Sequence, residues 1–388
     1  MIGSVLRARG PDEAVRVTNT ELFFDLVYVF AITQLSDYLF MHQTARGAIQ
    51  TLVLFTAVWW AWNYTAWATN WIDPDRPRVT LLLLGLMAIS LVMSAAILHA
   101  FGARGMPFAL AYVAIQVIRS GFMVLAFAPG ERMRRNYAQL LAWSAIAGVA
   151  WVAGAAVGGD GRIVVWVVAI ALDLGAPIHG FTLPKYGSTP IQDWTLAGAH
   201  LAERCQLVLL IALGESVLRV GASFAGAPGS VGVDVAFVAG FVATASLWAA
   251  YFVHHAEQGA KAISSSAADA ARLGRAGYAY AHAIMVAGVI VLAVAIRLTI
   301  EQPSGPASAI VCGTLLGGPA LYLVGLLLFK RTVGRGELRP PARALAGLVA
   351  LLLLALFADR LVVAIGVAGV LGALAIAAGR ASEPSAPV

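Results

Sequence analysis

Val79-Thr80-Leu81-Leu82-Leu83-Leu84-Gly85-Leu86-Met87-Ala88-Ile89-Ser90-Leu91-Val92-Met93-Ser94-Ala95-Ala96-Ile97-Leu98-His99-Ala100-Phe101 holds no Lys, Arg, Asp or Glu. It exceeds the roughly 20 apolar residues that carry an α-helix across a bilayer. Comparable blocks lie at 22–41, 48–70, 106–127, 137–157, 163–180, 196–221, 231–254, 275–299, 306–329, 342–358 and 360–379, with short polar stretches between them. Within lipid, a helix satisfies its backbone groups internally, so the pattern predicts an all-α, polytopic integral membrane protein of about twelve transmembrane helices. Only Ala358, Asp359 and Arg360 separate the last two blocks, which read as two spans or as one re-entrant hairpin. Composition agrees. Of 388 residues, 60% are hydrophobic and 12% charged, where a soluble domain has roughly 25% charged.

The placement of Lys and Arg orients the chain. Four of the 26 (Arg119, Arg204, Arg219 and Arg297) lie within spans, and four (Arg46, Arg104, Arg162 and Arg360) fall in alternate connections. The remaining 18, among them Arg7, Arg9, Arg16, Lys185, Arg335 and Arg380, fall in the other set. Cytoplasmic loops are enriched in Lys and Arg, so both termini are expected in the cytoplasm. These charges build no basic face, which argues against a nucleic-acid partner despite a net charge of +6. Thr56, Ala57, Trp60 and Ala61 match Thr244, Ala245, Trp248 and Ala249, and Leu26, Val27 and Ala31 match Leu207, Val208 and Ala212. A parallel six-plus-six repeat is expected from these matches. The expected segments are a cytoplasmic tail 1–20, a first repeat 21–185, a second repeat 186–380 and a cytoplasmic tail 381–388. The polar start carries no visible cleavable signal, because Glu21 and Asp25 interrupt the first apolar run.

Charges amid hydrocarbon need a partner, a water-filled path or a function. Glu21 and Asp25 stack on one helical face, with Ile32 and Ser36 further along it. Capping competes with function for Glu21, with Thr18, Asn19 or Thr20 as the cap, and is a weaker account of the deeper Asp25. A second stripe on the seventh span carries His200, Glu203, Arg204, Glu215 and Arg219, and Glu215 with Arg219 could also be a structural i,i+4 pair. Trp67 and Trp71 fit an interfacial belt, whereas Trp59, Trp60 and Asn63 sit deeper, for packing or for a ligand. Arg119, Asp173, His179, His254, His255, His282 and Arg297 read as loop-edge or snorkelling residues. Cys205 and Cys312 lack metal or redox spacing, and His200 with Glu203 has no Cys/His signature beside it; no cofactor and no metal are expected.

The stretch Thr20-Glu21-Leu22-Phe23-Phe24-Asp25-Leu26-Val27-Tyr28, with Trp59-Trp60-Ala61-Trp62, Thr69-Asn70-Trp71-Ile72-Asp73-Pro74, and Glu203-Arg204 followed by Ile211-Ala212-Leu213-Gly214-Glu215-Ser216, resembles the bacterial low temperature requirement A membrane protein family. The likeness runs from about residue 15 to 380 and implies a role in growth at low temperature without a defined biochemical activity. Phe23, Asp25, Val27, Ala31, Ile32, Thr33 and Leu35 are also similar to the first helix of the endolysosomal potassium channels and their bacterial relatives. That similarity implies a pore-lining first helix, with Ile32 at the constriction and Asp25 as a buried polar anchor. Phe24 stands where those channels carry serine, and the seventh helix lacks the motif.

Together these features predict a bacterial plasma-membrane transport protein, a channel or carrier for potassium or protons, with the first and seventh helices lining the path. The expected partners are the lipid bilayer and a small cation or proton, with a homo-oligomer allowed. An intramembrane enzyme or lipid-handling protein using His200 and Glu203 is the alternative. The longest internal polar stretch, 255–274, leaves no room for a soluble signalling domain.

Overall fold

The computed structural model describes residues 5–7, 16–184, 186–253, 255–265, 269–334, 337–355 and 357–380. The expected tail 381–388, Arg9, Lys185, His254, Arg335 and the side chain of Arg380 lie outside the described residues. The chain is an all-α polytopic membrane protein. Its helices are α1 (Asn19–Met41), α2 (Ala45–Ala68), α3 (Pro77–Ala96), α4 (Gly105–Ala126), α5 (Arg132–Val157), α6 (Gly159–Ile178), α7 (Gly198–Gly226), α8 (Val231–Phe252), α9 (His255–Ser265) and α10 (Ala270–Leu273). A π-helical stretch, Gly274–Ala281, then runs into α11 (His282–Glu301), followed by α12 (Ala309–Val333), α13 (Arg339–Ala355) and α14 (Arg360–Arg380).

Among the described residues, 10 helical segments are long and apolar enough to cross a membrane. Neither α2 nor α13 is among them. In α2, Arg46, Gln50, Asn63 and four tryptophans lower the hydropathy, although the helix is buried on nearly every side. With 17 residues, α13 is shorter than a usual span. It and α14 are separate helices, and part of the polar interval 255–274 is helical, as α9.

Two compact units divide the chain: Met1–Tyr38 with Ala45–Arg204 and Ser266–Arg272, and Leu39–Thr44 with Cys205–Ser265 and Leu273–Val388. In the first, α3, α4, α5 and α6 pack in chain order, while α2 lies against α4 and α6. In the second, α11, α12, α13 and α14 pack in chain order, while α8 lies chiefly against α14 and α11 and touches α12. The chain-order packing of four helices recurs in the two units, but the neighbours of α2 and α8 differ.

Small residues set the tightest approach. A Cβ on Gly318 of α12 would lie 2.6 Å from the backbone nitrogen of Leu292 in α11, and one on Gly288 would lie 2.6 Å from the carbonyl oxygen of Gly318. Membrane helices gain contact by bringing their backbones together at such positions. At its end, α12 is closed by Gly334, whose φ of 68° is left-handed and whose N–H reaches the Lys330 carbonyl at 3.0 Å.

Candidate functional site

The first turn of α1 builds the start of the site. Thr18 is its cap: the Glu21 amide donates to Thr18 Oγ1 at 3.3 Å, and the Thr18 amide donates to Glu21 Oε2 at 3.0 Å. This reciprocal pairing is a capping box and fixes the Glu21 rotamer. One turn later Asp25 leaves the same face, and both side chains are fully buried. The apolar face of α1 points the other way, with Phe23 and Leu26 each 55% exposed. The acids therefore face protein interior rather than acyl chains.

Their chief partner is Arg204, near the start of α7 and itself fully buried. Its Nε donates to Asp25 Oδ2 at 3.0 Å and its Nη2 to Asp25 Oδ1 at 2.6 Å. Its Nη1 donates to Glu21 Oε1 and to Thr69 Oγ1, each at 3.0 Å. Trp62, from α2, adds an indole N–H to Asp25 Oδ1 at 2.7 Å. Arg7 approaches from the segment before α1, with Nη2 3.0 Å from Glu21 Oε2 and Nε bonded to the carbonyls of Thr69 and Ile72. Two carboxylates thus meet two guanidinium groups, and the formal charge of the set balances.

His200, one turn before Arg204, completes it. Its Nε2 lies 2.9 Å from Glu21 Oε1, and its Nδ1 lies 3.3 Å from Asn70 Nδ2. An asparagine nitrogen can only donate, so Nδ1 accepts and Nε2 carries the proton that it gives to Glu21. Asn70 is held in turn by Ala197, whose amide donates to Oδ1 at 2.7 Å and whose carbonyl accepts from Nδ2 at 3.0 Å. A buried pair of this kind is not automatically stabilising, but removing one member leaves an uncompensated charge, at a cost of about 3–5 kcal/mol.

The other expected site residues fall elsewhere. Glu203 is exposed and accepts from the Val17 amide at 3.3 Å, so it does not join His200 in a shared pocket. Glu215 and Arg219 belong to the second unit, where Arg219 Nε donates to Glu215 Oε1 at 3.0 Å. Ile32 and Ser36 are buried on α1, and Asn63 is buried on α2.

Three expectations need correction. Trp67 and Trp71 do not form an interfacial belt: both are buried, edge-on to Trp194 and Tyr137 respectively, and the Trp71 indole donates to Thr195 Oγ1 at 3.3 Å. The segment leading into α7 packs over the end of α2 and covers them. Arg119 and Asp173 do not snorkel; each lies mid-helix and is buried, and Asp173 Oδ2 accepts from Tyr112 at 2.7 Å and from Trp151 at 3.0 Å. His282 is fully buried, with Nδ1 2.9 Å from the Gly277 carbonyl in the π-helical stretch and Nε2 2.8 Å from the Tyr251 hydroxyl.

Glu21 and Asp25, Trp62, Thr69 and Asn70, and Arg204 come from four sequence motifs far apart in the chain, and all converge on this network. The profile of the bacterial low temperature requirement A protein family matches residues 16–376, spanning every one of those motifs. The chain belongs to that family. An uncharacterized protein of Rhizobium meliloti (strain 1021) is 32% identical over 331 residues, covering 85% of this chain and 80% of that protein. No solved structure matches. Within this family member, Trp62, Thr69, Asn70 and Arg7 are network residues that spacing alone did not single out. The signal for Trp62, Thr69 and Asn70 lay in the Trp59–Trp62 and Thr69–Pro74 motifs, whose polar atoms looked like packing or belt residues when each helix was read separately, while Arg7 stood only among the charges that orient the chain.

Proposed function

We propose that the chain is a transport protein of the bacterial plasma membrane, a channel or carrier for a small ion, with the proton favoured over potassium. The supporting observation is the inward-facing set Glu21, Asp25, His200 and Arg204, fully buried inside a bilayer-spanning unit. Charged groups enclosed within membrane-spanning units are retained for ion pathways and proton relays more readily than for stability. Each carboxylate of the set already accepts from several donors, and two guanidinium groups stand beside them. A potassium ion would need unengaged oxygens and would meet those cations. A proton needs only one carboxylate oxygen, and its arrival would unbalance the set and free Arg204 to move, the bistable element that transport requires. On this proposal α1 and the start of α7 line the path, with Ile32 at its narrowest point. The chain-order packing of α3 to α6 and of α11 to α14 is compatible with a six-plus-six repeat, and the distribution of Lys and Arg between the spans favours cytoplasmic termini. Support of growth at low temperature, which the family name suggests, would follow from ion balance.

Proteoliposomes with an entrapped pH dye and an imposed proton or potassium gradient test this. Proton flux is expected, with a loss of about tenfold or more in Asp25→Asn, equivalent to about 1.4 kcal/mol. Vesicles silent to both ions, or full flux in the variant, would remove the proposal.

A further inference from the structure

A further buried carboxylate of the first unit is held quite differently from Glu21 and Asp25. Asp173, on α6, accepts at Oδ2 from the Tyr112 hydroxyl of α4 at 2.7 Å and from the Trp151 indole of α5 at 3.0 Å. Both donors are neutral. Among the described residues, Oδ1 accepts no hydrogen bond and no ion pair reaches the group. Arg119 of α4 acts on the carboxyl through space without bonding to it, and its charge balances that of the ionised form. When Asp25 takes up a proton, it gives up a charged fork to Arg204, whereas Asp173 gives up only bonds from neutral groups, which are about half as strong. Burial favours the neutral acid, while the two donors and the distant guanidinium favour the anion. These opposed effects meet in one side chain.

The hydrogen-bond chain around Asp173 can serve both forms. The Tyr112 hydroxyl donates to Asp173 and accepts from Gln116 Nε2 at 2.8 Å. Gln116 is 1% exposed, and its Oε1 has no partner among the described residues. Rotation of the amide turns that oxygen toward Tyr112 and costs no existing bond at Oε1. A proton on Asp173 Oδ2 is then donated to the Tyr112 oxygen, and the Tyr112 hydroxyl donates onward to Gln116 Oε1. Loss of the proton reverses both bonds. The Trp151 indole can only donate, so it holds the carboxyl in place in either form. Around the site, α4 presents Tyr112 and Arg119, α5 presents the Trp151 indole, and α2 brings Tyr64 beside Tyr112 and 5.2 Å from the Arg119 guanidinium carbon. Asp173 itself is 7% exposed, which leaves an opening for a proton.

We propose that Asp173 is a proton-binding site, which takes up and releases a proton while the bonds of Tyr112 and Gln116 reverse beside it. The site stands on this geometry without the transport proposal. One clause rests on that proposal: Asp173 is a second station for the moved proton, linked to the first through Tyr28 of α1, which lies within electrostatic range of Asp25, Arg204 and Arg119.

The test is pH-difference infrared spectroscopy of the full-length protein in lipid vesicles. Acidification should produce a carboxylic-acid carbonyl band that disappears in Asp173→Asn and survives in Glu203→Gln, whose carboxylate is exposed. Should Asp173→Asn fail to fold, Tyr112→Phe, which keeps the ring and removes the hydroxyl, must shift the frequency of the band and move its pH midpoint by about one unit, a tenfold change in proton affinity. No such band in the unaltered protein, or a band unchanged in Asp173→Asn or in Tyr112→Phe, overturns the site. The Asp173 band in vesicles that pass no protons would remove transport and keep the site; proton flux without the band would do the reverse.

Discussion

Arg204 grips Asp25 with two parallel hydrogen bonds, at 3.0 and 2.6 Å, across 179 residues of sequence. The planar guanidinium suits this forked contact as a lysine ammonium does not. Arg204→Lys is therefore expected to lower stability, and Arg204→Met to lower it further, by about 3–5 kcal/mol, because Glu21 and Asp25 are then buried with too few cations. Unfolding of the purified variants in mixed micelles, followed by circular dichroism, measures both.

Asn70 acts at one remove. Its amide holds the backbone of Ala197 and the Nδ1 side of His200. Asn70→Ala leaves these groups unsatisfied and should cost about 1–3 kcal/mol, while Asn70→Asp, whose second oxygen cannot donate to Nδ1, puts an acceptor on each side of the ring and should place a proton on Nδ1 beside the one Nε2 gives to Glu21. Nitrogen-15 NMR of labelled histidine distinguishes that ring from the singly protonated one.

The pair formed by Glu215 and Arg219 differs in weight. Arg219 is 20% exposed and the two are neighbours on one helix, a geometry worth about 0.3–0.5 kcal/mol in exposed helices. Glu215→Gln should change the unfolding free energy far less than Asp25→Asn does in the same micelles.

Close backbone approach in the second unit yields another outcome. Gly318→Ala would drive a methyl group into the backbone of Leu292, and overpacking of this kind costs about 1–3 kcal/mol. Gly317→Ala, one residue away and facing open space, should be tolerated; parallel thermal melts compare them.

The membrane fold was legible because span length and hydropathy are local properties. The quoted block 79–101 needs no partner to be recognised, and α3 occupies most of it. Glu21 and Asp25 were legible as a face because four residues close one helical turn. Arg204 was visible as part of a charged stripe, but its partner was not, since periodicity relates residues within a helix and says nothing across 179 positions. The same limit explains the errors at Trp71, Arg119 and Asp173. Each looks amphipathic in its own segment, and only packing by the 194–197 segment or by neighbouring helices decides that it is enclosed.

The central claim, that Asp25 and Arg204 act as one buried charged unit, is tested most directly by a double-mutant cycle of unfolding free energies for Asp25→Asn, Arg204→Met and the pair together. A coupling of about 1 kcal/mol or more, with the double variant more stable than the singles add up to, is the expected result. Additivity to within about 0.5 kcal/mol would mean that the two side chains do not meet in the folded protein.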